Sequence, residues 1–143
     1  AAHIRVADAS TYYALPEGSR GIFVGGGGSV RLPRLIGVAR MADMMLTGRV
    51  YSASEGLACG FSQYLTDAGD AYAKALELAQ RVAENAPLTN FAVLQALPMI
   101  AESNPQTGLL MESLMATVAQ SDQEAKKRIR AFLDRKTAKV RPA

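Results

Sequence analysis

A carboxylate and a run of glycines lie close together in the first part of the chain. Glu17 precedes the four glycines at 25–28 by eight residues, and an apolar and basic segment at 30–36 follows Ser29. A glutamate can move protons or activate water as a general acid or base. Glycine backbone can approach a ligand closely, and N–H groups at a helix start favour an anion or a polarised oxygen. The stretch is a candidate wall of a catalytic site, with a solvated glutamate and a tightly packed loop as the structural alternatives.

Two nucleotide-binding patterns fail on this glycine run. In the dinucleotide fingerprint G-x-G-x-x-G read from Gly25, the third glycine position is occupied by Val30. In the phosphate loop G-x-x-x-x-G-K-[ST] read from Gly21, Gly27 stands where the lysine is required. The sequence therefore gives no support for a nucleotide fold or for ATP chemistry.

The elements that would position these residues change in kind along the chain. Alternating or β-branched segments predict short strands at 3–8, 10–15 and 61–65. Short helices are expected after a cap at Ser29, over 39–48, and over 52–60 with Ser52 or Ser54 as cap. Apolar residues at helical spacing then predict four amphipathic helices over 69–86, 88–102, 107–121 and 123–136. We expect two domains, 1–68 and 69–143, with the methionines mainly in the core.

Composition restricts the class of protein. The chain has 143 residues, a net charge of +3 and one cysteine, so neither a disulfide framework nor a cysteine-based zinc site is expected. No membrane segment or signal peptide is apparent, and we expect a cytoplasmic protein. Eight Lys and Arg residues lie within 124–141, either for a polyanionic partner or as a solvated helix face. A nucleic-acid partner is not expected, because the tail carries no recognisable binding motif.

The order of several motifs resembles the crotonase family, the enoyl-CoA hydratases and isomerases. The motifs are Pro16-Glu17, Gly21, GGGGSVRLPRLIG at 25–37, LTG at 46–48, Ala53, Glu55-Gly56, Gly60 and AQRVAENAP at 79–87. The segment IRAFLDRK at 129–136 is similar to the family's closing helix. The chain departs from the family pattern at Val24, where proline is usual, at Ala2-His3 and at Lys127-Arg128.

The resemblance implies a crotonase-like α/β fold, here short strands followed by a helical C-terminal half. It also implies an acyl-CoA thioester substrate whose oxygen lies between two backbone N–H donors, which stabilise an enolate. Glu17 matches the second of the hydratases' two glutamates and would be the catalytic acid/base. The expected substrate-binding residues are Phe23, Val24, Gly25 and Gly26. Arg135 and Lys136 would meet the CoA phosphates, in some cases those of a neighbouring subunit.

The family's N-terminal half is not found in the sequence, so we expect this chain to be the C-terminal half of a longer parent. That other half would supply most of the sheet, the oxyanion hole and the first glutamate. The resemblance implies a homotrimer or a dimer of trimers, with no cofactor beyond the CoA of the substrate and no metal. The main hypothesis is hydration of a 2-enoyl-CoA. An isomerase, a hydratase-lyase or a non-catalytic oligomerisation fragment are the alternatives.

Overall fold

The structure is a computed structural model, which describes residues 2–137. The chain divides into two compact units, Ala1–Leu78 and Ala79–Ala143. The sequence placed a division after residue 68, whereas the unit boundary lies within the helix α4 (Ala71–Ala83). The predicted roles of the two segments, part of a catalytic core and a trimerisation region, stay predictions. Lys139 and Arg141 of the basic tail lie outside the described residues.

The strands of the first unit are short and pair two by two. They are β1 (Val6–Asp8), β2 (Tyr12–Tyr13), β3 (Tyr51–Ser52) and β4 (Tyr64–Thr66). β1 pairs with β4 in parallel, and β2 pairs with β3 antiparallel. The three predicted strands are therefore present in shortened form. β3 was not predicted, because two residues cannot show an alternating pattern.

Three helices complete most of the first unit. They are α1 (Gly28–Ile36), α2 (Val38–Thr47) and α3 (Ala53–Cys59). The prediction that Ser29 caps α1 was wrong. Gly26 and Gly27 adopt φ values of +60° and +83°, so the chain turns early and Ser29 already lies in the first helical turn. Left-handed backbone of this kind is open to glycine and costly for other residues, which explains part of the glycine run.

The core of the first unit packs α1 and α2 against aromatic rings. Ile36, Met41, Met44, Tyr51 and Phe61 are its buried members. Met44 is 0% exposed and Met41 5%, which confirms the prediction of a core position for these two methionines, whereas Met99 is 62% exposed and contradicts it. The Phe61 ring stacks on Tyr13 of β2 at 4.4 Å and meets the edge of Tyr51 at 6.3 Å. The rings thereby join the two strands β2 and β3 to the segment after α3.

α3 begins with a capping box. The Ser52 hydroxyl accepts from the Glu55 N–H at 3.3 Å, and the Glu55 carboxylate accepts from the Ser52 N–H at 2.9 Å. These bonds from Ser52, together with Arg49, hold the pKa of the Glu55 carboxyl below its usual range. Arg49 also lies 3.5 Å from Asp43 of α2 and stacks over Tyr51 at 4.4 Å. One guanidinium thus connects α2, β3 and α3.

The helices after α4 form the second unit. They are α5 (Pro87–Phe91), a π-helical segment (Ala92–Ala96), α6 (Leu97–Glu102), α7 (Pro105–Ser121) and α8 (Gln123–Leu133). The four predicted helices are present, and that over 88–102 is interrupted by the π-helical segment. Pro98 lies two residues after this segment. Because proline has no N–H to donate to the carbonyl one turn earlier, the regular α-helical hydrogen bonds are interrupted here. Within 2–137, no helix is both long enough and apolar enough to cross a bilayer.

We expect Ser52→Ala to lower the free energy of unfolding by about 1 kcal/mol, because the Glu55 N–H in the first turn of α3 loses its acceptor. Urea denaturation of the full-length protein measures the change. Ser54→Ala is the matched control, since the exposed Ser54 hydroxyl contacts the Ser52 hydroxyl and makes no bond to the α3 backbone. An equal loss in both variants would contradict the capping role.

Candidate active site

Glu17 stands at a turn that follows β2. Pro16 ends the extended segment, and residues Gly18–Arg20 form one turn of 3₁₀ helix with Glu17 as its N-terminal residue. The Glu17 carbonyl accepts hydrogen bonds from the N–H groups of Arg20 at 3.0 Å and Ile22 at 3.1 Å. These two bonds fix the backbone from which the carboxylate projects.

The Glu17 side chain is half-buried. Its Oε2 atom is shielded from solvent and has no hydrogen-bond partner among the described residues. A buried carboxylate oxygen without a partner is costly, and such atoms in native proteins call for an explanation. Their known explanations include a catalytic role. Glu17 is the residue that the sequence predicts to be catalytic. Its unpartnered, shielded oxygen is consistent with a group that binds a proton or a ligand, and its catalytic role stays a prediction.

Gly18 fixes the distance between this turn and α2. A Cβ atom at Gly18 would overlap the backbone carbonyl oxygen of Met45. The backbone after Glu17 can come this close to α2 only because residue 18 has no side chain. The requirement for glycine directly after Glu17 is thus a packing requirement, and it determines where the carboxylate lies.

An open apolar groove of about 540 Å³ begins beside this contact. The turn contributes Gly18, Ile22 and Phe23, and α1 contributes Ser29 and Pro33. The Phe23 side chain is 74% exposed, although it is large and aromatic. The predicted substrate-binding residue Phe23 and the residue next to Glu17 therefore line the same groove.

The opposite wall of the groove is one face of α2. Its residues recur at helical spacing: Val38, Met41, Ala42, Met45 and Leu46. The sequence pattern identified the methionines only as core, and Val38, Ala42 and Leu46 were not predicted as site residues. The available signal was the spacing of four between these three, which marks a second apolar stripe on an already amphipathic helix.

The glycine run forms the entry to α1. The Gly28 N–H donates to the Gly25 carbonyl at 3.0 Å, and Arg31 donates from its guanidinium to the Gly26 carbonyl at 3.0 Å. Gly25 and Gly26 are exposed, and a Cβ atom at either position would meet open space. Neither residue lines the groove. Their predicted contact with substrate stays a prediction.

The other predicted site residues have different surroundings. Val24 packs against the core of the first unit and lies so close to Gly28 that a side chain there would overlap its methyl group. Arg135 and Lys136 belong to the second unit and are exposed. Lys136 pairs with Asp134 at 3.2 Å, and Arg135 has a φ of +57°. Substrate contact by Val24 and phosphate binding by the two basic residues stay predictions.

The part of the chain that the structure describes contains no set of side chains suited to bind a metal ion. No group of three or more His, Cys, Asp or Glu side chains is placed to hold an ion there. Cys59 is a half-buried free thiol. The unpartnered Glu17 oxygen is therefore not part of a visible metal cluster.

Comparison with known proteins assigns the family. The sequence model of the enoyl-CoA hydratase/isomerase family matches residues 1–141. The chain is 29% identical to probable enoyl-CoA hydratase 2, mitochondrial, of Arabidopsis thaliana, covering 95% of this chain and 45% of that protein. It is 30% identical to the short-chain-enoyl-CoA hydratase of Clostridioides difficile, covering 92% of this chain and 85% of that protein. The chain therefore belongs to the enoyl-CoA hydratase/isomerase family.

A solved structure supports the same conclusion for the fold. The structure of a candidate enoyl-CoA hydratase from Rhodopseudomonas palustris matches with a TM-score of 0.88 and 88% identity, covering 97% of this chain and 54% of that one. The crotonase-like α/β fold predicted from the sequence is confirmed. The chain spans about half the length of these two relatives from Arabidopsis and Rhodopseudomonas. The assignment to the C-terminal half stays a prediction.

We expect Gly18→Ala to lower the free energy of unfolding by about 1–3 kcal/mol, because the new methyl group forces the turn away from the Met45 carbonyl. Urea denaturation of the full-length protein measures this. Gly25→Ala is the control, since its Cβ would meet open space and its φ is not positive. A loss as large in Gly25→Ala would show that the contact with α2 is not the cause.

Proposed function

We propose that the protein containing this chain hydrates a 2-enoyl-CoA thioester, with Glu17 as the acid/base at the α-carbon. The observation that carries the proposal is the partnerless, solvent-shielded Oε2 atom of Glu17 beside an apolar groove. Membership of the enoyl-CoA hydratase/isomerase family gives this carboxylate its reaction class. The names of the Arabidopsis and Clostridioides relatives refer to the same reaction.

In the proposed reaction the oxygen of water bonds to the β-carbon, and a proton is added at the α-carbon. The carbon–carbon double bond becomes single, and the product is a 3-hydroxyacyl-CoA. Glu17 donates the α-proton from its carboxyl group and recovers one from the attacking water. The electron pair held on the thioester as an enolate returns to form the new C–H bond. No cofactor beyond the CoA of the substrate is required.

The surroundings of Glu17 suit this proton transfer. A shielded carboxyl oxygen without an internal partner can pass its proton to the substrate directly, whereas a hydrogen-bonded one would have to break that bond first. The two backbone bonds to the Glu17 carbonyl and the close packing of Gly18 restrict the residue's backbone. A restricted general acid reaches its proton acceptor with less loss of entropy in the transition state.

We expect Glu17→Gln to lower kcat on crotonyl-CoA by about 10²–10⁴-fold, since the amide cannot transfer the proton. Loss of the conjugated-thioester absorbance measures the rate in the full-length protein. Glu112→Gln on the exposed surface of α7 is the control and leaves kcat unchanged. Activity in Glu17→Gln equal to that of wild type would remove Glu17 from the mechanism, provided that the circular dichroism spectra of the variants agree.

We further propose that Arg135 and Lys136 bind the CoA phosphates. Both side chains are exposed just after the end of α8, and paired cations suit a polyanionic ligand. Assembly into trimers or hexamers and a cytoplasmic location remain part of the proposal. The apolar side chains exposed on the second unit, Leu109, Leu110 and Leu114 among them, support the assembly.

We expect the double variant Arg135→Gln/Lys136→Gln to raise KM for crotonyl-CoA about three- to tenfold with kcat retained, because two exposed ionic contacts are lost. Lys126→Gln/Lys127→Gln removes the same charge from α8 itself and is the matched control. With crotonyl-pantetheine, which lacks the nucleotide phosphates, both double variants are expected to match wild type. A KM effect that persists on that substrate would contradict phosphate binding.

A further inference from the structure

The last turn of α2 is tied to the start of α3 by a cluster of polar side chains. The cluster consists of Asp43, Thr47, Arg49 and Glu55, and we call it the Arg49 cluster. The Arg49 guanidinium lies 3.5 Å from the Asp43 carboxylate of α2 and 3.1 Å from the Glu55 carboxylate of α3. It also lies over the Tyr51 ring, 4.4 Å from the ring centroid. A guanidinium carries its donors in a rigid fork, so it can hold two carboxylates at once.

The same cluster closes the end of α2. The Thr47 hydroxyl donates to the Asp43 carbonyl at 2.7 Å. After the chain has turned at Gly48, the Arg49 N–H donates to the Thr47 hydroxyl oxygen at 3.2 Å. Residues 43–47 form the last turn of α2, and Met45 lies in the middle of it. The backbone carbonyl of Met45 therefore belongs to a turn that the Arg49 cluster restrains.

We propose that Arg49 is a positioning residue for Glu17 and acts through the contact between the Met45 carbonyl and Gly18. The inference rests on the proposed function, in which Glu17 transfers the proton. Gly18 follows Glu17 directly, and its contact with the Met45 carbonyl leaves no room for a side chain. A displacement of the last turn of α2 therefore moves the backbone from which the Glu17 carboxylate projects.

Arg49 acts at a distance from the site. Its side chain is 49% exposed, and it is not among the described residues that line the groove. Exposed ion pairs contribute little to the free energy of unfolding. Catalysis is more sensitive, since misplacing a reacting group by about 1 Å can reduce a rate about 10²-fold. Loss of Arg49 is therefore expected to affect catalysis much more than stability.

The test measures kcat and KM of the full-length protein on crotonyl-CoA. We expect Arg49→Gln to lower kcat about tenfold, because a displaced Glu17 transfers its proton less readily. KM is expected to stay within about twofold of wild type and the urea midpoint within about 0.5 M. Glu55→Gln is expected to lower kcat as well. It removes the charge that holds Arg49 to α3, while its amide oxygen can still accept from the Ser52 N–H.

Arg40→Gln is the matched control. Arg40 is an exposed arginine of the same helix, and its guanidinium donates to the Ile36 carbonyl at 3.0 Å, away from the last turn of α2. Its loss is expected to leave kcat at the wild-type value. An unchanged kcat in Arg49→Gln, or an equal loss in Arg40→Gln, overturns the proposal.

A double-mutant cycle tests the route of the effect. Gly18→Ala breaks the contact with the Met45 carbonyl directly, so it is expected to lower kcat by itself. If Arg49 acts through this contact, adding Arg49→Gln to Gly18→Ala lowers kcat no further. Losses that multiply in the double variant would show that Arg49 acts by another route, and the proposal would fail.

Hydrogen exchange separates this proposal from the proposed function, because it requires no turnover. The N–H groups of Arg20 and Ile22 donate to the Glu17 carbonyl and report on the order of the turn. In peptides that cover this turn, mass spectrometry is expected to show exchange at least about threefold faster in Arg49→Gln and unchanged in Arg40→Gln. If the protein shows this difference but does not hydrate crotonyl-CoA, the positioning role stands and the hydratase assignment fails. If exchange in the turn is the same in Arg49→Gln as in wild type, the positioning proposal fails, whatever the activity.

Discussion

The contact between Gly18 and the Met45 carbonyl determines the geometry of the candidate site. It brings the turn after β2 against α2 at a distance that only a residue without a side chain allows. Two features depend on this approach. Glu17 is held at the start of the turn, and Ile22 and Phe23 are carried to the side of the groove opposite α2. The catalytic candidate and the apolar groove are thus consequences of one packing constraint.

The remainder of the first unit supports both sides of that contact. On one side, Tyr13 of β2 stacks on Phe61 and precedes Glu17 by four residues, so the aromatic core anchors the segment that enters the turn. On the other side, α2 is held by buried Met41 and Met44 and by Asp43, which pairs with Arg49. The ion pairs of Arg49 are exposed and contribute little by themselves. Its position between α2, α3 and the Tyr51 ring is what gives it structural value.

Local patterns in the sequence were sufficient for part of this structure. A cap at Ser52 or Ser54 and the end of α2 at Gly48 follow from residue types a few positions apart, and the structure has the cap at Ser52 and the helix end at Gly48. Ser29 was assigned as a cap because hydroxyl residues favour that position, yet the positive φ of Gly26 and Gly27 starts α1 earlier. The groove could not be predicted in this way. Val38 and Leu46 line the same groove as Phe23 only because separate segments of the chain pack together.

The glycine run and Glu17 also prove to have different physical roles. Gly26 and Gly27 are needed for their backbone conformation, and Arg31 holds the loop by binding the Gly26 carbonyl. Glu17, by contrast, has a buried oxygen that no described residue satisfies. The first arrangement stabilises the fold, whereas the second costs stability. A folded chain can retain such a cost where function requires it, so the unsatisfied carboxylate, rather than the glycines that first mark the segment, is the feature on which the catalytic proposal rests.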